Sequence, residues 1–389
     1  MSSPFLYSWR FFLVLPTSNC QHPTIKMNKT LSNIFKIVLF FGLGLGILYL
    51  VYRSQNANWI EDCAQKGQSV AECGTFLEKI IRDFSQVKWS WIWAVLGVYT
   101  ISNLSRAARW MLLLKPLGYS PRPVNAFFTL MIGYFANLGF PRIGEIMRPA
   151  AFSGYEKMPV EKVLGTIVTE RITDVLALLV VMALAFTLEF DKLWNFILES
   201  QNSADGGADG LPLLVKIGIG LAGIGLIAAV LIWKNWEKIS QIPFVKKIVE
   251  LVEGLWEGVQ TIRKMNKPGQ FLFHTVNIWF MYFLMTYLGF FAFAPTAELT
   301  PLAGLIIFVT GALGIVIPTP GGLGSYNALV TAALVQFYGI DGADAFSFSI
   351  ILFFAINIGC NVLYGLIGLI ILPIINRNYE PLPQEGVGY

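Results

Sequence analysis

Three short stretches of this sequence carry charge where the chain is otherwise apolar. The first, "GFPRIGEIMRP" at residues 139–149, holds Arg142, Glu145 and Arg148, with Pro141 and Gly144 among them. The second, "SRAARW", sets Arg106 and Arg109 three apart on one helix face, with Trp110 beside them at interface depth. The third, "TERITD", sets Glu170 and Asp174 one helical turn apart, with Arg171 next to Glu170. A charge at the centre of a membrane helix costs about 2.5–3.5 kcal/mol on insertion scales, so such groups must face a partner or water. Two arginines per acid in the first stretch leave a positive surplus, and a guanidinium binds oxyanions with two parallel hydrogen bonds. That chemistry suits a phosphate headgroup. The competing reading is a cytoplasmic loop with solvated charges. For Arg106 and Arg109 the competing reading is snorkelling to the interface. Glu170 and Asp174 read either as an inward-facing ion pair or proton relay, or as structural partners of Arg142 or Arg148.

A fourth stretch, "IVIPTPGGLGSYNALV" at residues 315–330, has no charge but breaks a helix. Pro318, Pro320, Gly321, Gly322 and Gly324 interrupt it, and "SYNALV" resumes one with Ser325 as a plausible N-cap. A helix N-terminus at membrane depth offers unpaired amides to an anion. A plain tight loop between two spans is the alternative. Asn357, Cys360 and Asn361 further on read as helix-packing residues.

The elements that position these residues follow from hydropathy. Of 389 residues, 55% are hydrophobic and 13% charged, and the mean hydropathy is +0.61. The fold class is therefore all-α, a polytopic helical membrane protein. Windows of about 20 apolar residues give six full spans, near 34–52, 90–114, 164–188, 212–233, 270–293 and 344–373. Two more apolar stretches, 124–150 and 302–339, are broken by Pro and Gly and read as re-entrant hairpins, because broken backbone at membrane depth survives only when buried or facing a wet cavity. Basic residues in the 102–123 and 234–268 connections assign both to the cytoplasm, and the acidic, Gly-rich 189–211 loop and the 53–88 loop to the outside. Both termini then lie in the cytoplasm. The two hairpins enter from opposite faces, an inverted arrangement around a midplane site.

Residues 1–33 read as an N-terminal tail: the first 26 lack a signal-peptide cleavage site, and Met27, which opens a conventional basic start to a span, reads as the true start, with 1–26 as upstream translation or a disordered tail. Residues 34–373 read as a single transmembrane domain, and 374–389 as a C-terminal tail. Residues 245–265 alternate apolar and charged positions at helical spacing, as an amphipathic helix on the inner membrane surface or a packed cytosolic linker would. Cys63 and Cys73 share one polar loop and would form a disulfide if that loop is extracytoplasmic.

Several function classes are disfavoured. His22, His274 and the four cysteines make no familiar zinc spacing, and neither a Walker loop nor an HExxH helix is present. No metal and no cofactor is expected. The net charge of +4 is scattered in short loops, which argues against a nucleic-acid partner.

The four stretches together, "SRAARW", "GFPRIGEIMRP", "ERITD" and "PTPGGLGS", in this order and spacing, resemble the lysylphosphatidylglycerol synthase transmembrane region family, also described as flippase-like integral membrane proteins. The resemblance runs from about residue 34 to 373. It implies a helical membrane domain with re-entrant elements that moves an aminoacylated phospholipid between leaflets. The soluble aminoacyltransferase domain of such proteins has no counterpart here, so lipid synthesis does not carry over. Asn327 stands where the family often has an acid, which argues against a proton-linked role at that position. Matched by motif, Arg106, Arg109, Arg142, Glu145, Arg148, Glu170, Arg171 and Asp174 would line the headgroup path, with Pro318–Gly324 as the opposing wall.

The function expected is translocation, or binding during translocation, of a lipid with an anionic or aminoacylated headgroup in a cytoplasmic membrane. An accessory subunit presenting a lipid carrier to a separately encoded glycosyltransferase or lipid synthase is the alternative. A membrane-embedded lipid-phosphate transferase or hydrolase with Glu170 or Asp174 as base is the disfavoured enzyme reading, so the chain is expected not to be an enzyme.

Overall fold

Proline in the first helical turn or an oxygen-bearing cap sets several of the helix starts. The computed structural model describes residues 29–65, 74–190 and 267–381. The chain divides into two units, residues 1–38 and 39–389. The described part of the first is the opening of helix α1 (Lys29–Gln65), and the account below concerns the second. The expected span 212–233, the external loop 189–211 beyond Phe190, most of the 234–268 connection with its amphipathic helix, and Cys73 lie outside the described residues.

After α1 come α2 (Phe76–Ser85), α3 (Trp89–Leu114), α4 (Pro123–Gly139), α5 (Gly144–Glu156), α6 (Val160–Leu188), α7 (Pro268–Ala292), α8 (Pro301–Val316), α9 (Ser325–Tyr338) and α10 (Gly342–Ile375). No strand occurs among the described residues. Pro123, Pro268 and Pro301 each open a helix. Thr75 and Glu78 cap α2 reciprocally, with the Glu78 amide donating to Thr75 Oγ1 at 3.2 Å and the Thr75 amide to Glu78 Oε2 at 2.7 Å. Asp341 caps α10 by accepting from the Ala343 amide at 2.9 Å.

Helices α6, α7 and α10 are long and apolar enough to cross a membrane. They match the expected spans 164–188, 270–293 and 344–373. Helix α3 coincides with the expected 90–114 span, but Trp89, Trp91, Trp93 and Trp110 together with Ser, Thr, Asn and Arg dilute its apolarity. The described part of the 53–88 segment is largely helical rather than a loop. It contains the end of α1 and all of α2, and Lys79 of α2 bonds both Asp83 at 2.5 Å and Asp344 of α10 at 2.6 Å. Cys63 is buried and disulfide-bonded.

Both Pro/Gly stretches fold as helix, break, helix. In the first, the Gly144 amide donates to Asn137 Oδ1 at 2.7 Å, and a Cβ placed on Gly133 would meet the Cβ of Arg148 at 3.1 Å. Position 137 thus faces 144 and 133 faces 148, so α4 and α5 run antiparallel. In the second, Ser325 Oγ donates to Gly314 O at 2.7 Å, and a Cβ on Gly311 would meet Tyr326 at 2.7 Å and Val330 at 3.4 Å. Helices α8 and α9 therefore fold back in the same way. The hydrophobic core gathers Trp110, Phe152, Phe290 and Phe348, while α6 turns Val168, Val175, Leu179, Val180 and Leu184 outward. An apolar outer surface around a core with buried charge is the arrangement hydrocarbon solvent demands.

The C-terminal residues latch onto the first hairpin. Glu156, the last residue of α5, accepts from Asn125 Nδ2 at 2.6 Å, from the Arg122 amide at 3.1 Å and from the Tyr379 hydroxyl at 2.9 Å. Burial first, then the bond to the Glu156 carboxylate, push the Tyr379 phenol up to about 12.

Candidate functional site

Four helices converge on one buried ionic cluster. Helix α3 supplies Arg106 and Arg109, three residues apart and therefore on neighbouring positions of one face. Helix α5 supplies Arg148, and α6 supplies Glu170 and Asp174, also one turn apart. Helix α7 closes the group with Thr275 and Tyr282. Arg106 Nη1 lies 2.8 Å from Glu170 Oε1 and 2.7 Å from Asp174 Oδ2, and its Nη2 donates to the Tyr282 hydroxyl at 3.0 Å. Arg109 Nη2 lies 2.7 Å from Asp174 Oδ1, and its Nη1 donates to Thr275 Oγ1 at 3.2 Å. Arg148 Nη2 lies 2.9 Å from Glu170 Oε2, with Nη1 3.4 Å from the other oxygen. Its guanidinium carbon sits 3.8 Å from the centre of the Trp110 ring.

Burial is close to complete. Glu170 and Arg109 are 0% exposed, and Arg106 and Arg148 3%. Three guanidiniums face two carboxylates in this core, so it keeps one uncompensated positive charge. The Nε atoms of Arg106, Arg109 and Arg148 are buried without a hydrogen-bond partner. Charges buried this way normally find full pairing.

The rim is different. Arg171 Nε lies 3.6 Å from Glu145 Oε1, with both side chains about two-fifths exposed (41% and 43%). Arg142 is exposed, occupies the break between α4 and α5 with a left-handed backbone (φ +64°), and makes no ion pair or side-chain hydrogen bond among the described residues. A non-glycine residue held there is strained, and the turn that carries it is tied down by the Gly144 amide bond to Asn137.

Several expectations change. Arg106 and Arg109 neither snorkel nor signal topology from a loop, since both are inside α3 and buried. Trp110 is not at an interface. It is fully buried, stacks on Arg148 and donates from Nε1 to Thr166 Oγ1 at 2.9 Å. Glu145 does not pair with Arg148, because α5 starts at Gly144 and packs the Arg148 side against Gly133, which leaves Glu145 on the open side with Arg171. Of the two structural partners foreseen for Glu170, Arg148 binds it and Arg142 does not. Tyr282 and Thr275 went unforeseen, since lone hydroxyls in an aromatic-rich helix carry no local signal.

The second break is held by hydrogen bonds within itself. Ser325 is the first residue of α9 and not its cap. Its hydroxyl bonds back to Gly314 O, and the Gly324 amide is taken by Asn327 Oδ1 at 3.2 Å. Pro320, Gly322, Gly324 and Ser325 are buried, while Pro318 is exposed. The loop does approach the first break. A Cβ at Gly321 would lie 2.8 Å from Leu138, in the last turn of α4. Among the described residues, no hydrogen bond or ion pair joins Pro318–Gly324 to the arginine cluster.

The family model of the lysylphosphatidylglycerol synthase TM region matches residues 72–363, which contain every charged residue of the site. A UPF0104 membrane protein of Methanocaldococcus jannaschii is 29% identical over 101 residues, 25% of this chain and 30% of that relative. The aligned stretch thus spans less than a third of the relative's length. No solved structure matches the chain significantly. Matched over most of its length and carrying apolar helices long enough to cross a bilayer, this chain is a multi-pass membrane protein and belongs to the lysylphosphatidylglycerol synthase transmembrane region family.

Proposed function

We propose that this protein translocates a lipid with an anionic or aminoacylated headgroup across the cytoplasmic membrane, or holds it during translocation. One observation carries the reading: the buried cluster keeps a net positive charge, with three unpartnered Nε donors, beside a rim where Arg142 is free. In hydrocarbon an uncompensated guanidinium is costly, and a phosphate that binds at the rim offsets that cost through charge-assisted hydrogen bonds. Arg142 and Arg171 receive the phosphate, and Glu145 receives the ammonium of an aminoacyl group. The acyl chains stay in the bilayer throughout, and no covalent step is required.

In this account the membrane is crossed six times, and the crossing expected at 212–233 lies outside the described residues. The two broken hairpins enter from opposite faces, and both termini lie in the cytoplasm. The 53–88 segment is then outside and the 234–268 segment inside. A separately encoded lipid synthase or glycosyltransferase supplies or consumes the lipid.

The test is leaflet exchange in liposomes containing the purified protein, with fluorescent phosphatidylglycerol, lysylphosphatidylglycerol and phosphatidylcholine. The parent should exchange the first two faster than the last. Arg142→Gln, which removes a side chain with no internal partner, should fold normally and lose exchange by at least about tenfold, the rate equivalent of one charge-assisted bond. A folded Arg142→Gln that exchanges like the parent overturns the assignment.

A further inference from the structure

A strap of chain holds the base of the first hairpin. Beyond α10, residues 376–381 turn across the start of α4 and the end of α5. Asn125 and Asn376 exchange amide hydrogen bonds at 2.9 and 2.8 Å. Arg122 Nη1 donates to Ile375 O at 3.2 Å, and its guanidinium carbon sits 3.7 Å from the centre of the Tyr379 ring. The Tyr379 hydroxyl then reaches Glu156.

Glu156 makes this contact more than a tie. Its side chain is buried, at 3% exposed, yet its partners are the Arg122 amide, Asn125 and Tyr379, all neutral donors. The nearby Arg122 guanidinium is directed to Ile375 and Tyr379 instead. A buried carboxylate is normally paired with a cation, so dehydration of Glu156 opposes the closed strap while three hydrogen bonds favour it. A cavity of about 110 Å³, lined by Tyr119, Ser120, Glu156, Lys157 and Pro381, lies beside the carboxylate and has room for water. Once Tyr379 leaves, hydration replaces its hydrogen bond, and the closed and open straps are close in free energy.

The base is also coupled to the arginines. One turn back along α5, Phe152 is fully buried and packs on Trp110 with ring centres 4.4 Å apart, and Trp110 is the ring on which Arg148 lies. Between them Pro149 has no amide to donate, which weakens α5 at that point. Lys157, just past the end of α5, holds a left-handed backbone (φ +50°), a strain that release of the base would relieve.

We infer that residues 376–381 form a reversible latch on the first hairpin. Engaged, it fixes the last turns of α5 and keeps Phe152 on Trp110. Released, it lets those turns swing at Pro149 and loosens Arg148 over Glu170. The consequence for transport rests on the reading above, in which a headgroup meets this hairpin: the latch is then the brake on the hairpin's motion.

The experiment measures amide hydrogen exchange at residues 150–158 and leaflet exchange of fluorescent phosphatidylglycerol in liposomes, for the parent, Tyr379→Phe and Glu156→Gln. Tyr379→Phe loses the bond to Glu156 and keeps the ring under Arg122. Glu156→Gln keeps an oxygen for Asn125 and Arg122, offers an amide to the Tyr379 hydroxyl and removes the buried charge. The latch predicts opposite signs. Tyr379→Phe should speed amide exchange at least about tenfold, the effect of one hydrogen bond to a charged group on local opening, and speed lipid exchange with it. Glu156→Gln should slow both. Acceleration of amide exchange by both variants marks a merely structural tie and overturns the latch, as does no change in either. Amide exchange that splits as predicted beside parent-like lipid exchange overturns the brake. A parent that moves no lipid overturns the translocation reading instead, and the signs in amide exchange still decide the latch.

Discussion

Glu170 is the residue on which the cluster turns. Its two oxygens serve Arg106 and Arg148, and Arg109 stands 3.7 Å away, so one fully buried carboxylate answers three guanidiniums. Neutralising it leaves Asp174 alone against them, and removing one partner of a buried pair costs about 3–5 kcal/mol. Glu170→Gln should therefore destabilise the protein by about that amount in detergent-based unfolding. Adding Arg148→Gln should recover part of the loss, since coupled neighbours deviate from additivity by about 0.5–3 kcal/mol. Additive losses would show that the pair is not coupled. Asp174→Asn should cost less, because its side chain is 14% exposed and water reaches the remaining charge.

At the scale of elements, the first hairpin exists because two glycines let two helix backbones touch. A Cβ on Gly144 would fall 2.0 Å from Gly133 O, and no rotamer change relieves a backbone clash. Gly144→Ala should separate α4 from α5, withdraw Arg148 from Glu170 and destabilise severely, by more than the roughly 1 kcal/mol scale of helix propensity. Gly154, in the same helix α5, has open space where its Cβ would sit. Gly154→Ala should instead stabilise by about 0.5–1 kcal/mol. Thermal unfolding of the two variants side by side checks the contrast, and equal effects would remove the close approach as the cause.

Sequence made this architecture legible wherever the deciding physics is local. Both breaks were visible because Pro and Gly close together, as at Pro141 and Gly144 and again at Pro318 and Gly321, strongly disfavour a continuous helix. Glu170, Asp174, Arg106, Arg109 and Arg148 stood out as charges in apolar helices. Their pairings were less legible, because which carboxylate meets which arginine depends on how α3, α5 and α6 cross. The Trp110 stack on Arg148 and the Tyr99 bond to Asn361, 262 residues away, had no local signal at all. Ser325 misled for a related reason: it has the chemistry of an N-cap, but the neighbouring Gly314 carbonyl claims its hydroxyl.

At the scale of the whole molecule, buried charge, free rim arginine and apolar outer surface form one account only if a lipid headgroup meets the rim. The most direct measurement is photocrosslinking in liposomes with phosphatidylglycerol bearing a diazirine on its headgroup, mapped by mass spectrometry. The account predicts adducts concentrated on residues 139–148 and around Arg171, reduced by excess unlabelled phosphatidylglycerol and by Arg142→Gln. Adducts confined to other surfaces, or labelling of the rim that excess lipid does not reduce, would contradict it.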